Sequence, residues 1–157
     1  MREIPLTQGK VALVDDADYD ALMAFKWRAL KWSSGVDQWY ALRSVRKRNV
    51  YMHVHLTAYV RTDHIDGNGL NNQRANLREA TNQQNSFNRR SETGHSPFKG
   101  VYSYPHDPSR WCAYIGLDGR KQYLGIFDTK EEAALAYNQA ATKLFGEFAH
   151  LNDVTDD

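Results

Sequence analysis

Asp63-His64-Ile65-Asp66-Gly67-Asn68-Gly69-Leu70-Asn71-Asn72-Gln73-Arg74-Ala75-Asn76-Leu77-Arg78, followed by Asn82-Gln83-Gln84-Asn85, is the chemically densest stretch of the chain. A carboxylate stands beside an imidazole, a glycine-bearing loop follows, and further amides lie downstream. Residues 62 to 90 are polar, asparagine-rich and almost without aliphatic periodicity, so they form no core by themselves. Asn68, Asn71 and Asn72 read as turn chemistry. An imidazole titrates near pH ~6.5 and is largely neutral at physiological pH, so His64 can accept a proton from water. Asp63 and an asparagine carbonyl are hard oxygen donors suited to Mg²⁺ or Mn²⁺. A base and a divalent cation are the parts that hydrolysis of a phosphodiester requires.

Towards the N-terminus, short apolar runs (Ile4 to Leu6, Val11 to Val14, Trp39 to Val45, Val50 to Met52) alternate with turn-like pieces and predict several short strands. Asp18 to Trp27 has near-helical spacing behind an acidic start and predicts a short helix, and residues 53 to 60 predict another. Towards the C-terminus, Ser91 to Pro97 reads as a linker. Three strand candidates follow, Phe98 to Tyr104, Arg110 to Leu117 and Arg120 to Phe127, separated by Pro105-His106-Asp107-Pro108 and Asp118-Gly119. Thr129-Lys130-Glu131-Glu132 is a capping box, and Ala133, Tyr137, Ala140, Ala141 and Leu144 fall at helix spacing before Gly146. The chain is thus expected to be an α+β protein with domains at 1–92 and 98–152.

Over residues 50 to 90 the sequence resembles the HNH nuclease family, with its strand, strand, helix and metal arrangement. The resemblance implies His64, on the first strand, as general base, Asp63 as metal ligand and Asn76, on the returning strand, as the residue bracing the loop. Asn85, on the following helix, takes the place of the family's last histidine and would ligate Mg²⁺ or Mn²⁺ through its carbonyl. Asn88, one turn away, is the alternative ligand. His53 and His55 read as packing residues or as support for the site. Arg74, Arg78, Arg89 and Arg90, with Arg46-Lys47-Arg48, are the cations that would hold phosphates beside such a site.

In the C-terminal part, strand alternation places Val101, Trp111, Ala113, Ile115 and Leu124 beneath the capped helix. Tyr102, Tyr104, Arg110, Cys112, Tyr114, Lys121 and Tyr123 then share the opposite face. An apolar, hydrogen-bonding patch of that kind marks a binding surface. Residues 98 to 152 are similar to the DNA-binding domain of plant APETALA-type and ethylene-response transcription factors. The similarity runs through Lys99-Gly100-Val101, Arg110 to Ile115, Tyr123 to Thr129, Glu131 to Ala141 and Phe145-Gly146 to Asn152. That family lays a three-stranded sheet in the major groove of duplex DNA. Lys99 and Tyr102 stand where the plant domains usually carry guanine-reading arginines.

Charge agrees with a polyanionic partner in the middle third. Residues 41 to 100 hold ten Lys/Arg against four acids, a net of +6, while residues 1 to 40 carry −1 and residues 101 to 157 carry −4. Cys112, the one cysteine, excludes an intramolecular disulfide and any multi-thiolate zinc site. No apolar run has the length of a membrane span, and a cytoplasmic setting in a bacterial or phage-infected cell is expected. The combined reading is a metal-dependent DNA endonuclease of homing type whose C-terminal sheet selects the site. The alternative is a non-catalytic, sequence-specific DNA-binding regulator.

Overall fold

In the computed structural model, residues 1–33, 36–89 and 96–154 are described. Arg90, and most of the stretch read as a linker, lie outside them. The architecture is α+β, with several antiparallel sheets and short helices. The chain divides into two compact units, Met1–Gln83 and Gln84–Asp157.

In the first unit, β1 (Arg2–Pro5) pairs with β2 (Val11–Val14), and α1 (Asp16–Met23) follows. The helix starts two residues before the predicted Asp18, because Asp16 and Asp18 together supply the acidic first turn that favours an N-terminus. It stops at Met23, so Trp27 lies outside it. Trp27 is nonetheless buried, and its indole N–H donates to the Leu22 carbonyl at 2.8 Å. A second sheet runs β3 (Arg28–Ser33), β4 (Val36–Val45) and β5 (Arg48–Tyr51), with β4 central. Met52 leaves the predicted strand and opens α2 (Met52–Thr57). Ile4, Ala12, Val14, Leu22, Trp27, Ala41 and Met52 form the core that joins these layers. A third, two-stranded sheet pairs β6 (Thr62–His64) with β7 (Leu77–Glu79). It is anchored to the core layer by Leu13, whose N–H donates to the Leu70 carbonyl and whose carbonyl accepts from Asn72. Leu70 packs against the core of the unit and Asn72 is buried beside Leu13, so this polar loop borrows part of its burial from β2. Helix α3 (Asn82–Phe87) begins at the end of the first unit, and its later residues belong to the second.

The second unit is a three-stranded sheet, β8 (Val101–Tyr104), β9 (Asp107–Leu117) and β10 (Arg120–Phe127), packed on α4 (Lys130–Phe145). The sheet order is β10-β9-β8. The capping box is complete: the Thr129 hydroxyl accepts from the Glu132 N–H, and the Glu132 carboxylate accepts from the Thr129 N–H. Val101, Ala113, Trp111 and Leu124 pack with Ala133 and Ala134, and Ile115 packs with Tyr137, Ala141 and Phe145. Three expectations change at this level. Residues 98–100 form a turn, so β8 starts at Val101; only Pro105 and His106 make the first hairpin turn, and β9 begins at Asp107. Phe145, not Leu144, closes the apolar face of α4; Leu144 is exposed.

Candidate functional site

In the β6–β7 ladder Asp63 stands directly opposite Arg78 and His64 opposite Leu77. The cross-strand position joins the charged pair: Arg78 Nε and Nη2 both donate to Asp63 Oδ2, at 2.9 and 2.7 Å. Both side chains are nearly buried, so the carboxylate is held by a fixed guanidinium rather than by solvent.

His64 is 5% exposed. Its ring meets His53 edge-on at 4.9 Å between centroids and Tyr40 at 5.9 Å, and Tyr51 stacks on His53 at 5.3 Å. Burial holds the His64 imidazole below its usual pKa, while Asn72, Asp66 and Asp63 pull the other way. The Asn72 carboxamide is wholly buried near the ring. Burial, then the neighbouring His64, pushes His53 down to about 3. Two neutral imidazoles thus share an aromatic pocket inside the first unit.

The connecting loop is a closed hydrogen-bond network. Asn76 Oδ1 accepts from the Asp66 N–H at 3.0 Å, and Asn76 Nδ2 donates to Asp66 Oδ1 and to the Asn71 carbonyl. Asp66 also accepts from the Asn68 N–H and from Asn71 Nδ2. Asn76 therefore holds the loop from a 3₁₀ turn, one residue before β7. Gly69 lies where any Cβ would strike the Trp39 carbonyl and the Tyr40 ring, which fixes how closely the loop approaches β4. Sequence reasoning passed over Asp66, Tyr40 and Tyr51, and read Asn72, which the structure buries completely, as turn chemistry. Asp66, two residues after His64 and next to Gly67, carries the spacing of a side chain capping its own turn, and that signal was available.

Among the described residues no group of three or more His, Cys, Asp or Glu side chains converges on a metal position. Asp63, the expected ligand, has Oδ2 committed to Arg78, so a cation there would meet a guanidinium already in place. Asn85 is half-buried on α3 and Asn88 is buried just beyond it, both in the second unit.

The expected phosphate-binding cations differ in what holds them. Arg74 is bidentate on Asp18, Arg78 is buried on Asp63, and Arg110 pairs with an exposed Asp128. Surface pairs contribute about 0–1 kcal/mol, so Arg110 can exchange its partner for a phosphate, whereas buried Arg78 cannot do so cheaply. Arg89 is exposed. Lys99 lies in the turn before β8, off the sheet face, and its ammonium donates to the Phe87 carbonyl at 2.5 Å. Burial, then Arg89, pushes it down to about 8.

On the sheet face away from α4, Tyr102 meets Tyr114 at 6.0 Å, Tyr114 meets Tyr123 at 5.4 Å, and Lys121 lies 5.3 Å over the Tyr102 ring. Tyr102 is 38% and Tyr123 52% exposed. The row crosses all three strands because Tyr114 and Tyr123 are register partners and Tyr102 pairs with Cys112. Tyr104 is set apart by the irregularity after Ser103 and packs on His106 instead.

An uncharacterized HNH endonuclease of Acanthamoeba polyphaga mimivirus is 41% identical over 92 residues, 59% of this chain and 46% of that protein. Dehydration-responsive element-binding protein 2D of Arabidopsis thaliana is 62% identical over 45 residues, 27% of this chain and 22% of that protein. APETALA2-like protein 2 of Oryza sativa subsp. japonica is 48% identical over 61 residues, 38% of this chain and 14% of that protein. The chain spans less than half the length of these relatives. No protein-family profile and no solved structure matches it. The chain is thus partly homologous to a viral HNH-type protein and to several domains of the APETALA2 and ethylene-response type.

Proposed function

We propose that this chain is a sequence-specific DNA-binding protein. Its C-terminal domain, residues 98–152, reads duplex DNA, and the HNH-like segment serves as a structural module. The observation that carries this reading is the Tyr102–Tyr114–Tyr123 row with Lys121, on a sheet whose other face is filled by α4. Rings held by a sheet offer apolar edges and hydroxyls at fixed spacing, which suits base edges in a major groove. Similarity to a dehydration-responsive element-binding protein supports the choice of partner. Selection of bound duplexes from a random library tests it. A single enriched motif, lost in Tyr114→Ala, is expected; the absence of enrichment rejects sequence-specific binding.

A second reading, metal-dependent endonuclease, is favoured by one observation: Asn76 and Asp66 close the loop that follows Asp63 and His64, in a chain similar to a viral HNH endonuclease. In this reading His64 would be the general base, Asp63 and Asn85 would hold Mg²⁺ once Arg78 had released Asp63, and Arg74, Arg89 and Arg90, with the freed Arg78, would hold the backbone. Supercoiled plasmid incubated with Mg²⁺ or Mn²⁺ separates the two. Nicking that falls at least about a hundredfold in His64→Ala selects the enzyme. Intact plasmid at protein concentrations that saturate DNA selects the binding protein.

A further inference from the structure

Two hairpins of this protein have a two-residue turn in which both residues have positive φ, the mark of a type I′ turn; the longer β1–β2 loop holds a further such pair, Gln8 (φ 61°) and Gly9 (φ 66°). At β9–β10 the pair is Asp118 (φ 52°) and Gly119 (φ 75°), the residue types such a turn prefers. At β4–β5 the pair is Arg46 (φ 48°) and Lys47 (φ 66°), closed by Val45 opposite Arg48. Arg and Lys enter this region only by crowding their own Cβ, without the short polar side chain that helps Asn or Asp there. The tip thus carries two long cations at a local cost in backbone strain.

Those cations are exposed, and so is Arg48 beside them. None of the three joins an ion pair among the described residues. Five of the first unit's carboxylates are engaged elsewhere: Asp16 by the N-terminus, Asp18 by Arg74, Asp20 by Arg2, Asp37 by Lys31 and Asp63 by Arg78. The hairpin behind the tip is braced, since Asn49 Oδ1 accepts from Arg28 Nη2 at 3.2 Å and from the Ser44 hydroxyl at 3.5 Å.

We propose that the β4–β5 tip is a DNA-backbone contact, with Arg46 and Lys47 each neutralising a phosphate and Arg48 flanking them. The inference rests on the DNA-binding reading and deepens it, because it assigns sequence-independent affinity to the first unit. A two-stranded ribbon fits a major groove about 12 Å wide, and unpaired cations on a stiff support suit a regular polyanion.

Two double variants of the full chain test it, against one random-sequence duplex titrated across KCl concentrations. Arg46→Gln with Lys47→Gln removes the charge and keeps the strained turn. Arg46→Asn with Lys47→Gly removes the charge and relieves the turn. Both are expected to lower the log–log salt slope by about 2 and to weaken binding roughly tenfold near 0.1 M salt. Only the second should raise the melting temperature, by about 4 °C. Unchanged affinity and slope in both variants would overturn the proposal, with DNA binding by the chain left standing. A loss confined to the Asn-Gly variant would overturn it too, since turn geometry and not charge would then be responsible. Wild-type protein that binds no duplex overturns both this inference and the function on which it rests.

Discussion

The imidazoles of His53 and His64 meet edge to face, with centroids 4.9 Å apart and planes at 88°. Both are held below the usual imidazole pKa by burial, His53 down to about 3. An unfolded chain takes up these protons near pH ~6.5 and the folded one refuses them, so stability is full above that pH and falls as acid is added. His53 contributes a slope of up to about 1.4 kcal/mol per pH unit from pH ~6.5 towards its folded value, and His64 acts in the same direction. Thermal unfolding should therefore show a steep loss of stability between pH 7 and pH 5. His53→Leu should flatten that slope. An unaltered slope would mean that His53 is hydrated in solution.

The buried Asp63–Arg78 pair leads to a second expectation. Arg78→Leu leaves a carboxylate buried without its counter-ion and should cost about 3–5 kcal/mol in urea unfolding. The double variant Asp63→Leu with Arg78→Met should cost much less than the two single changes together, because no lone charge remains. Millimolar Mg²⁺ should leave the unfolding midpoint of the wild type where it is. A rise that Asp63→Asn abolishes would mean that the carboxylate exchanges guanidinium for metal, and the hydrolytic reading would then take precedence.

Gly100 has φ +78°, and a Cβ there would run into the Tyr137 ring and the Tyr114 carbonyl. Gly100→Ala combines backbone strain with overpacking and should destabilise the second unit by more than about 2 kcal/mol. Asp118→Gly, in the open β9–β10 turn, should be close to neutral. Separate melting of the two variants checks the contrast.

The second unit was legible because its signals are local. Strand alternation put Val101, Ala113, Ile115 and Leu124 under α4, and the Thr129–Glu132 box marked the helix start. Both depend on neighbours along the chain. The packing of the HNH-like segment was not legible. Nothing in Asp63-His64 announces that Arg78 will be its register partner, or that Leu13, some fifty residues earlier, will anchor the loop, since those relations are set by the ladder and by β2. The same holds for Lys99. Its sequence position matched a base-reading arginine, yet its ammonium is drawn to the last carbonyl of α3.

That last contact makes α3 part of the C-terminal unit's stability. Phe87 stacks on Phe145 with centroids 3.8 Å apart and planes at 11°, and its carbonyl accepts from Lys99, so the final turn of α3 closes the lower end of the α4 face. A C-terminal fragment that starts at Asn82 keeps both interactions, whereas one that starts at Ser96 loses both, uncovers Phe145 and leaves the Lys99 ammonium without its carbonyl. Removing a packed phenylalanine costs about 3–5 kcal/mol when fully buried, and Phe87 is half-buried, so a loss of about 2 kcal/mol is expected. Denaturant unfolding of the two fragments, with Phe87→Ala in the longer one, measures this directly. DNA selection should still return the same motif from the longer fragment, because the Tyr102, Tyr114 and Tyr123 face is intact in it. Equal stability of the two fragments would show that α3 is a passive connector. A longer fragment that folds yet selects no motif would move sequence reading out of the tyrosine face.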